Sequence, residues 1–213
     1  MIIFPDPTTA DEDGLLAMGG NLQVETMLTA YRSGIFPWSV DPITWWSPDP
    51  RGIIDFGDFH LSRRTARKMR SGPFHFTLNQ NFADVIHACA APGPSRGGAW
   101  LDPKLIAAYV RLHQCGHAHS VECWRENELV GGVYGVAIGG LFAGESMFSR
   151  VSDASKMALA FLIEHLQSKG YVLFDAQMVT PHTLSLGAKE IERVDYLQRL
   201  QAAIILPCRF EDA

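Results

Sequence analysis

A single carboxylate, Glu145, sits inside an otherwise apolar, glycine-rich stretch, GGVYGVAIGGLFAGESMFSRVSDASKMAL, at residues 131–159. The stretch reads as two strands around Gly139-Gly140 followed by a helix. Alternation in the second strand sets Leu141, Ala143, Glu145, Met147 and Ser149 on one face. An acid in such a place must be hydrogen-bonded, paired or kept for function, because an unpaired buried charge is too costly. The other reading is a glutamate at a solvated strand rim. One helix later comes YVLFDAQM, residues 171–178. Its alternation puts Asp175 and Gln177 on one face and Val172, Phe174, Ala176 and Met178 on the other. A carboxylate two residues from an amide can orient it. The Asp would accept from the amide nitrogen, leaving the Gln carbonyl oxygen to accept from a substrate amine. A polar strand end would give the same pattern without chemistry.

The elements that must carry these groups follow from composition and pattern. At 213 residues, with 47% hydrophobic and 19% charged side chains, the chain can bury one good core plus a small second unit. The opening MIIFPDPTTADEDG lacks a basic n-region and is broken by prolines and acids, so no signal peptide is expected. No apolar run reaches membrane-spanning length. Cys89, Cys115, Cys123 and Cys208 are scattered without a secreted-scaffold pattern, which fits a reducing, cytoplasmic location. The tract His113-Gln-Cys115-Gly-His117-Ala-His119 invites a zinc reading but has no paired partner set elsewhere. It is read instead as a helix end, with Gly116 as the cap, running into a strand. No metal is expected.

Up to about residue 57 the chain is rich in Pro, Gly and Trp, with one helix at 23–33, Asn21 as its N-cap and Gly34 closing it. Leu22, Met27, Leu28 and Tyr31 form its apolar side. FPW and WWSPDPRG read as turns and short strands. The expected organisation is a small N-terminal domain, 1–57, packed on a larger catalytic one, 58–213. In the larger unit the pattern predicts helices at 63–70 (capped by Ser62), 81–89, 103–115, 153–168 (capped by Ser152 or Asp153), 183–187 and 195–203. Strands are predicted at 74–78, 119–125, 128–138, 140–148 and 171–178, with a loop at 94–98. Helix–strand–strand–strand–helix–strand matches an α+β (α/β-like) acyltransferase core of the GNAT class, although the pattern alone leaves other α/β folds open.

Several phrases occur in a fixed order: FPDP, GLLAMGGNL, AYRSGIFPW, WWSPDPRG, LHQCGHAHSVECW, GGVYGVAIGGLFAGESMFSRVSDASK, FDAQ and SLGAKEI. Together they resemble the leucyl/phenylalanyl-tRNA–protein transferase family, from Phe4 to about Leu200. Asn21, Ala99 and Ala176 depart from the expected residues. The resemblance implies a GNAT-like fold and an aminoacyltransferase needing no cofactor. Its donors would be tRNA charged with Leu, Phe and more weakly Met. Its acceptors would be proteins or peptides beginning with Arg or Lys, so marked for degradation by an N-degron route.

Such an enzyme must grip phosphates, seat the terminal adenosine and hold the amino-acid side chain. On the 63–70 helix, Arg63, Arg67 and Arg70 share one face, flanked by Arg64 and Lys68. A solvated face with cations near a helix C-terminus reads the same way; the resemblance aligns Arg63, Arg67 and Arg70 with tRNA-binding residues. The net charge of −5 disfavours indiscriminate nucleic-acid binding, so any grip must be local, within a Debye length of roughly 8–10 Å. For the adenosine, the resemblance selects Trp38, Trp100 and Tyr109 as stacking residues, where core packing is the alternative. Phe142 and Met147 offer an apolar pocket, methionine tolerating branched and aromatic guests alike. Glu145 and Ser149 would be its polar members, Glu145 meeting the donor's amino group or, alternatively, the acceptor's Arg or Lys. Asp175 and Gln177 are the catalytic candidates, with Gln177 orienting the attacking amine and Asp175 holding Gln177.

Two rivals remain at this level. An acyl-CoA-dependent N-acetyltransferase needs free backbone N–H groups at a helix N-terminus, usually behind a glycine-rich turn. The turn SRVSDAS has no glycine and carries Asp153 where an anion would be repelled. The other rival is a non-catalytic tRNA-binding module.

Overall fold

The structure, a computed structural model, describes residues 2–91 and 101–211. The first sheet is antiparallel, in the order β1 (Leu15–Met18), β3 (Ile43–Trp46), β2 (Phe36–Val40). Helix α1 (Val24–Arg32) joins the first two strands in sequence and buries Met27, Leu28 and Tyr31, the apolar side that its spacing defines. Its N-cap is Gln23 rather than Asn21. Asn21 sits two residues earlier and accepts from the Gln23 amide at 3.0 Å and the Thr26 hydroxyl at 2.8 Å.

The second sheet draws on β4 (Arg51–Ile54), β5 (Phe74–Leu78), β6 (Ala118–Arg125), β7 (Glu128–Ile138), β8 (Leu141–Ser149), β9 (Leu173–Gln177) and β10 (Ala188–Ile191). Its order is β10-β4-β9-β8-β7-β6-β5, and every pairing is antiparallel except β8 with β9. The sequence pattern reads WWSPDPRG, which runs into β4, only as turns and short strands, and gives β10 no strand at all. A border at residue 57 falls just beyond the seam between the sheets, since β4 is already an inner strand of the larger one.

Helices α2 (Arg63–Ser71) and α5 (Ala154–Ser168) cover one face, where Met157, Leu159 and Leu162 pack on Val121, Val133 and Phe142. Helices α3 (Phe82–Ala90) and α4 (Pro103–Gln114) cover the other, burying Val85, Leu105 and Tyr109 with Tyr134, Val136 and residues of α1. Ser62 caps α2 and Asp102 caps α4 ahead of Pro103, so sequence rules for helix starts hold there. The short α6 (Pro181–Leu184) opens with a Thr180–Thr183 capping box, and α7 (Arg193–Ile204) packs against β8 and β9. The run α4–β6–β7–β8–α5–β9 is the mixed α+β, GNAT-like order expected from the pattern. Among the described residues, no helix is long and apolar enough to cross a membrane.

Two irregularities shape the centre. Strand β8 pairs with β9 only from Leu141–Leu173 to Ala143–Asp175, after which the two part. Just there, Gly144 opposes Gly135 and Ser146 opposes Tyr134, so Glu145 is an extra residue in a bulge. Gly135 is required at this point. A Cβ on it would lie 2.2 Å from the Ala143 carbonyl oxygen and 2.4 Å from the Phe142 ring. Gly135→Ala should therefore cost about 1–3 kcal/mol in urea denaturation. Gly57→Ala, whose Cβ would meet nothing within 4 Å, serves as the control and should show no comparable loss.

Candidate active site

Where β8 and β9 part, a cleft of about 1070 Å³ opens, lined by Glu145, Met147, Leu159, Phe174, Gln177 and Trp38 among others. A split between parallel strands exposes side chains of both, and these come from opposite faces of the sheet.

The bulge corrects the simple alternation in β8. Glu145 stays on the α1–α4 face with Ala143, whereas Met147 packs on the α5 face and Ser149 turns to the start of α5. The inserted residue shifts the period by one. Glu145 is held by three donors: Tyr31 Oη at 2.7 Å on Oε1, Tyr109 Oη at 2.7 Å on Oε2, and Gln177 Nε2 at 2.9 Å on Oε1. The two phenol oxygens are themselves 2.8 Å apart. Burial pushes the Glu145 carboxyl up to about 7, against the three hydrogen bonds that favour its charge and with the Asp175 charge adding to the rise. Burial, then the Glu145 charge, raises both phenols well above their usual range, so both remain protonated donors.

Asp175 and Gln177 share a face as the alternation predicts, but their relation differs. Asp175 does not hold the Gln177 amide. Its Oδ1 accepts from the Gln177 backbone N–H at 2.8 Å, and the amide group is held by Glu145. Gln177 stands at φ 63, the left-handed region that costs a non-glycine residue about 1–3 kcal/mol. The Asp175 hydrogen bond fixes this turn, which aims the amide at Glu145. Asp175 is in turn clamped by Arg51, whose Nε and Nη2 lie 2.9 and 2.7 Å from its two oxygens, both side chains being 1% exposed. Tyr196 Oη donates to Asp175 at 2.7 Å, Arg51 Nη1 donates to the Gly34 carbonyl at 3.0 Å, and the guanidinium lies between the Phe36 and Tyr196 rings. Burial raises the Tyr196 phenol well above its usual range.

The other candidates divide. Trp38 is 46% exposed, at the cleft, beside Trp46. Trp100 lies outside the described residues. Tyr109 is 1% exposed with its ring edge-on to Tyr134, so it offers no face for a base and serves Glu145 instead. Phe142 is fully buried between Phe174 and Phe210 and lies behind the cleft wall; Phe174, Leu159 and Val133 accompany Met147 in the apolar lining. Ser149 is no partner of Glu145: its hydroxyl accepts from the Ser155 backbone N–H at 2.8 Å. That contact occupies one N-terminal donor of α5, and the Asp153 carboxylate beside it disfavours an anion such as a CoA pyrophosphate there. Arg63, Arg67 and Arg70 are exposed on α2, without ion pairs among the described residues. Lys68, between them, reaches the Ser152 carbonyl and Asp153 at the mouth of the cleft. His113 and His119 bond the Ala118 carbonyl and Asn79, at 2.8 and 3.0 Å.

Sequence reasoning misses Arg51, Tyr196 and the role of Tyr31. Only Tyr31 left a signal: a phenol on the apolar side of a helix needs a partner for its hydroxyl when buried.

Residues 53–201 match the family model described as leucyl/phenylalanyl-tRNA protein transferase, and residues 20–49 match that of its N-terminal domain. A leucyl/phenylalanyl-tRNA–protein transferase of Nitratidesulfovibrio vulgaris (strain DP4) is 51% identical over 210 residues, 97% of this chain and 90% of that one. One of Shewanella sp. (strain W3-18-1) is 48% identical over 201 residues, 92% of this chain and 85% of that one. Among solved structures, L-PGS from Bacillus licheniformis aligns with a TM-score of 0.43 at 14% identity, over 75% of this chain and 54% of that one.

The buried pair changes what mutation of Asp175 should do. Asp175→Ala strands the Arg51 guanidinium, and Arg51→Ala strands the carboxylate. Each should destabilise the fold by about 3–5 kcal/mol in denaturant titration. Gln177→Ala removes one cleft hydrogen bond and should leave the denaturation midpoint close to wild type.

Proposed function

Because this chain belongs to the leucyl/phenylalanyl-tRNA–protein transferase family, an aminoacyltransferase family, we propose that the cleft between β8 and β9 is where the aminoacyl ester meets the acceptor amine. The observation that carries this reading is the convergence of Glu145 and Gln177 on a cleft with an apolar wall of Val133, Met147, Leu159 and Phe174. The wall suits a leucine or phenylalanine side chain, and Met147 can adapt to either. Trp38 is the stacking residue for the terminal adenosine, and Arg63, Arg67 and Arg70 hold tRNA phosphates near the cleft mouth. The acceptor is the N-terminal amine of a protein beginning with Arg or Lys, and the product enters an N-degron route in the cytoplasm. We keep the division into an N-terminal unit, 1–57, and a catalytic unit, 58–213.

In the reaction, a neutral amine attacks the ester carbonyl, the nitrogen–carbon bond forms and the carbon–oxygen bond to the ribose breaks. Gln177 contributes position. Its amide nitrogen is committed to Glu145, so its carbonyl oxygen is the atom left to accept from the amine. Asp175 is a positioning residue, acting through the Gln177 backbone. Bringing the two reactants together in aligned geometry supplies much of the acceleration in such a bimolecular transfer.

A single-turnover assay with Leu-tRNA and an Arg-starting peptide tests the reading. Transfer to the peptide is expected, with a strong loss in Gln177→Ala. Binding without transfer, or turnover of acetyl-CoA, would overturn it. Neutralising Arg63 and Arg67 together should weaken tRNA affinity and lower the slope of log K against log salt by about one unit per lost phosphate contact. Titrations at several salt concentrations measure that slope; an unchanged one removes the patch from the tRNA site.

A further inference from the structure

Glu145, Tyr31 and Tyr109 form a closed triangle of short contacts whose proton count points to chemistry. Its edges are Glu145 Oε1 to Tyr31 Oη at 2.7 Å, Tyr31 Oη to Tyr109 Oη at 2.8 Å, and Tyr109 Oη to Glu145 Oε2 at 2.7 Å. A hydrogen bond needs one proton per edge. The two phenols supply two, and an ionised carboxylate supplies none. One edge of the three is then a contact between two oxygens with no proton between them. The triangle is complete only when Glu145 carries a proton itself. With the carboxylate ionised, both phenols can instead donate to it. The same three side chains therefore accommodate Glu145 in either protonation state, one as a closed ring and the other as an anion with two phenol donors.

The lone pairs give the second half of the argument. A carboxylate has about four acceptor positions. Oε1 accepts from Tyr31 and Gln177, and Oε2 accepts from Tyr109, which leaves one position on Oε2. Glu145 lines the cleft, and so does Gln177. A primary amine has two N–H groups, and the cleft presents two matching acceptors, the Gln177 carbonyl oxygen and Glu145 Oε2.

We infer that Glu145 is the proton acceptor of the transfer reaction, with Tyr31 and Tyr109 as the positioning residues that hold it in both protonation states. This rests on the cleft being the transfer site. The attacking nitrogen forms its bond to the ester carbonyl carbon and loses a proton to Glu145. As the bond from that carbon to the ribose oxygen breaks, Glu145 returns the proton to the departing oxygen. The products are an amide and a free ribose hydroxyl, and the carboxylate is regenerated. No further reactant is needed. This role differs from pairing with the donor's ammonium, which would require Glu145 to stay charged throughout.

The surroundings suit a group that must both take and give a proton. Tyr31 from α1, Tyr109 from α4 and Gln177 from β9 face the carboxyl directly, with Asp175 and Arg51 as the charged groups behind them. Burial holds the carboxyl near neutrality, where general acid–base catalysis is most effective.

The test is the pH dependence of the single-turnover rate at saturating Leu-tRNA, in wild type, Glu145→Gln and Tyr31→Phe. The acceptor amine must be neutral, which gives every form a limb near pH about 8. Wild type should show a second limb, its rate falling as the pH drops through about 7 and the carboxylate fills. Glu145→Gln should lose that second limb and about 10²–10⁴-fold in rate, with unchanged affinity for Leu-tRNA. Tyr31→Phe removes a donor to the ionised form, so its limb should move to higher pH. Lost Leu-tRNA affinity with an unchanged saturated rate in Glu145→Gln would overturn the proposal and return Glu145 to donor binding. A Tyr31→Phe limb at the wild-type position would overturn the ring, even if Glu145→Gln fails to fold. Absence of transfer in wild type would overturn the transfer-site reading itself, and the proposal with it.

Discussion

The guanidinium of Arg51 leaves water together with the carboxylate of Asp175, and such a pair survives burial only when its remaining protons and lone pairs are met. Here they are met from four directions. Two parallel contacts join the charges, Tyr196 adds a donor from α7, Gly34 contributes a carbonyl from the end of α1, and the Phe36 ring covers the guanidinium. The pair thus ties the first sheet, the inner strands β4 and β9, and the C-terminal helix to one point. Its other consequence is local. With Asp175 immobile, its Oδ1 pins the Gln177 backbone in a left-handed turn that β-strand geometry would not select. Strain at Gln177 is sustained by an ion pair that serves the fold.

From that point the constraint passes into the cleft. Gln177 reaches Glu145, and Glu145 is lifted out of its strand by a bulge that glycine at 135 permits. The bulge sends Glu145 to the α1–α4 face while Met147 goes to the α5 face. Parting of β8 from β9 lets both reach one space. A carboxylate and an apolar side chain two residues apart are therefore kept on opposite walls, a separation that strict alternation in a paired strand could not give.

How much of this the sequence carries depends on the range of each interaction. Local rules read α2 with its Ser62 cap, the start of α4 at Pro103, and the bounds of β5 and β7, because caps and periodicity act within a few residues. Strand β10, AKEI, carries no clear alternation, and β4 hides among prolines; both are strands only because neighbours pair with them. The site was legible as residue types. Glu145, Asp175 and Gln177 stand out as polar groups in apolar strands, and the structure brings them together. Their wiring was not legible. Arg51 is 124 positions from Asp175, and Tyr31 is 114 from Glu145. Nothing local announces such partners. The face shift at Glu145 escapes for a different reason, since a bulge changes register without changing composition. Likewise Phe142 and Tyr109 have the right residue types for a pocket or a stacking platform, and only packing decides that they are core.

The acyl-CoA rival is separated by the same kind of detail. The parting of β8 from β9 would serve any acyl donor, so the fold leaves the choice open. The choice is made at the first turn of α5, where CoA chemistry wants empty backbone donors. Ser149 fills one of them from the end of β8, and Asp153 with Lys68 occupies the approach. A serine hydroxyl in place of a phosphate stabilises the helix start without any ligand, and it frees the enzyme from needing an anion there. The acyl donor must then be gripped elsewhere. In this chain the exposed cations of α2 lie next to the same mouth, where Lys68 meets the Ser152 carbonyl and Asp153, so the turn that lacks an anion cradle is bordered by a basic helix face.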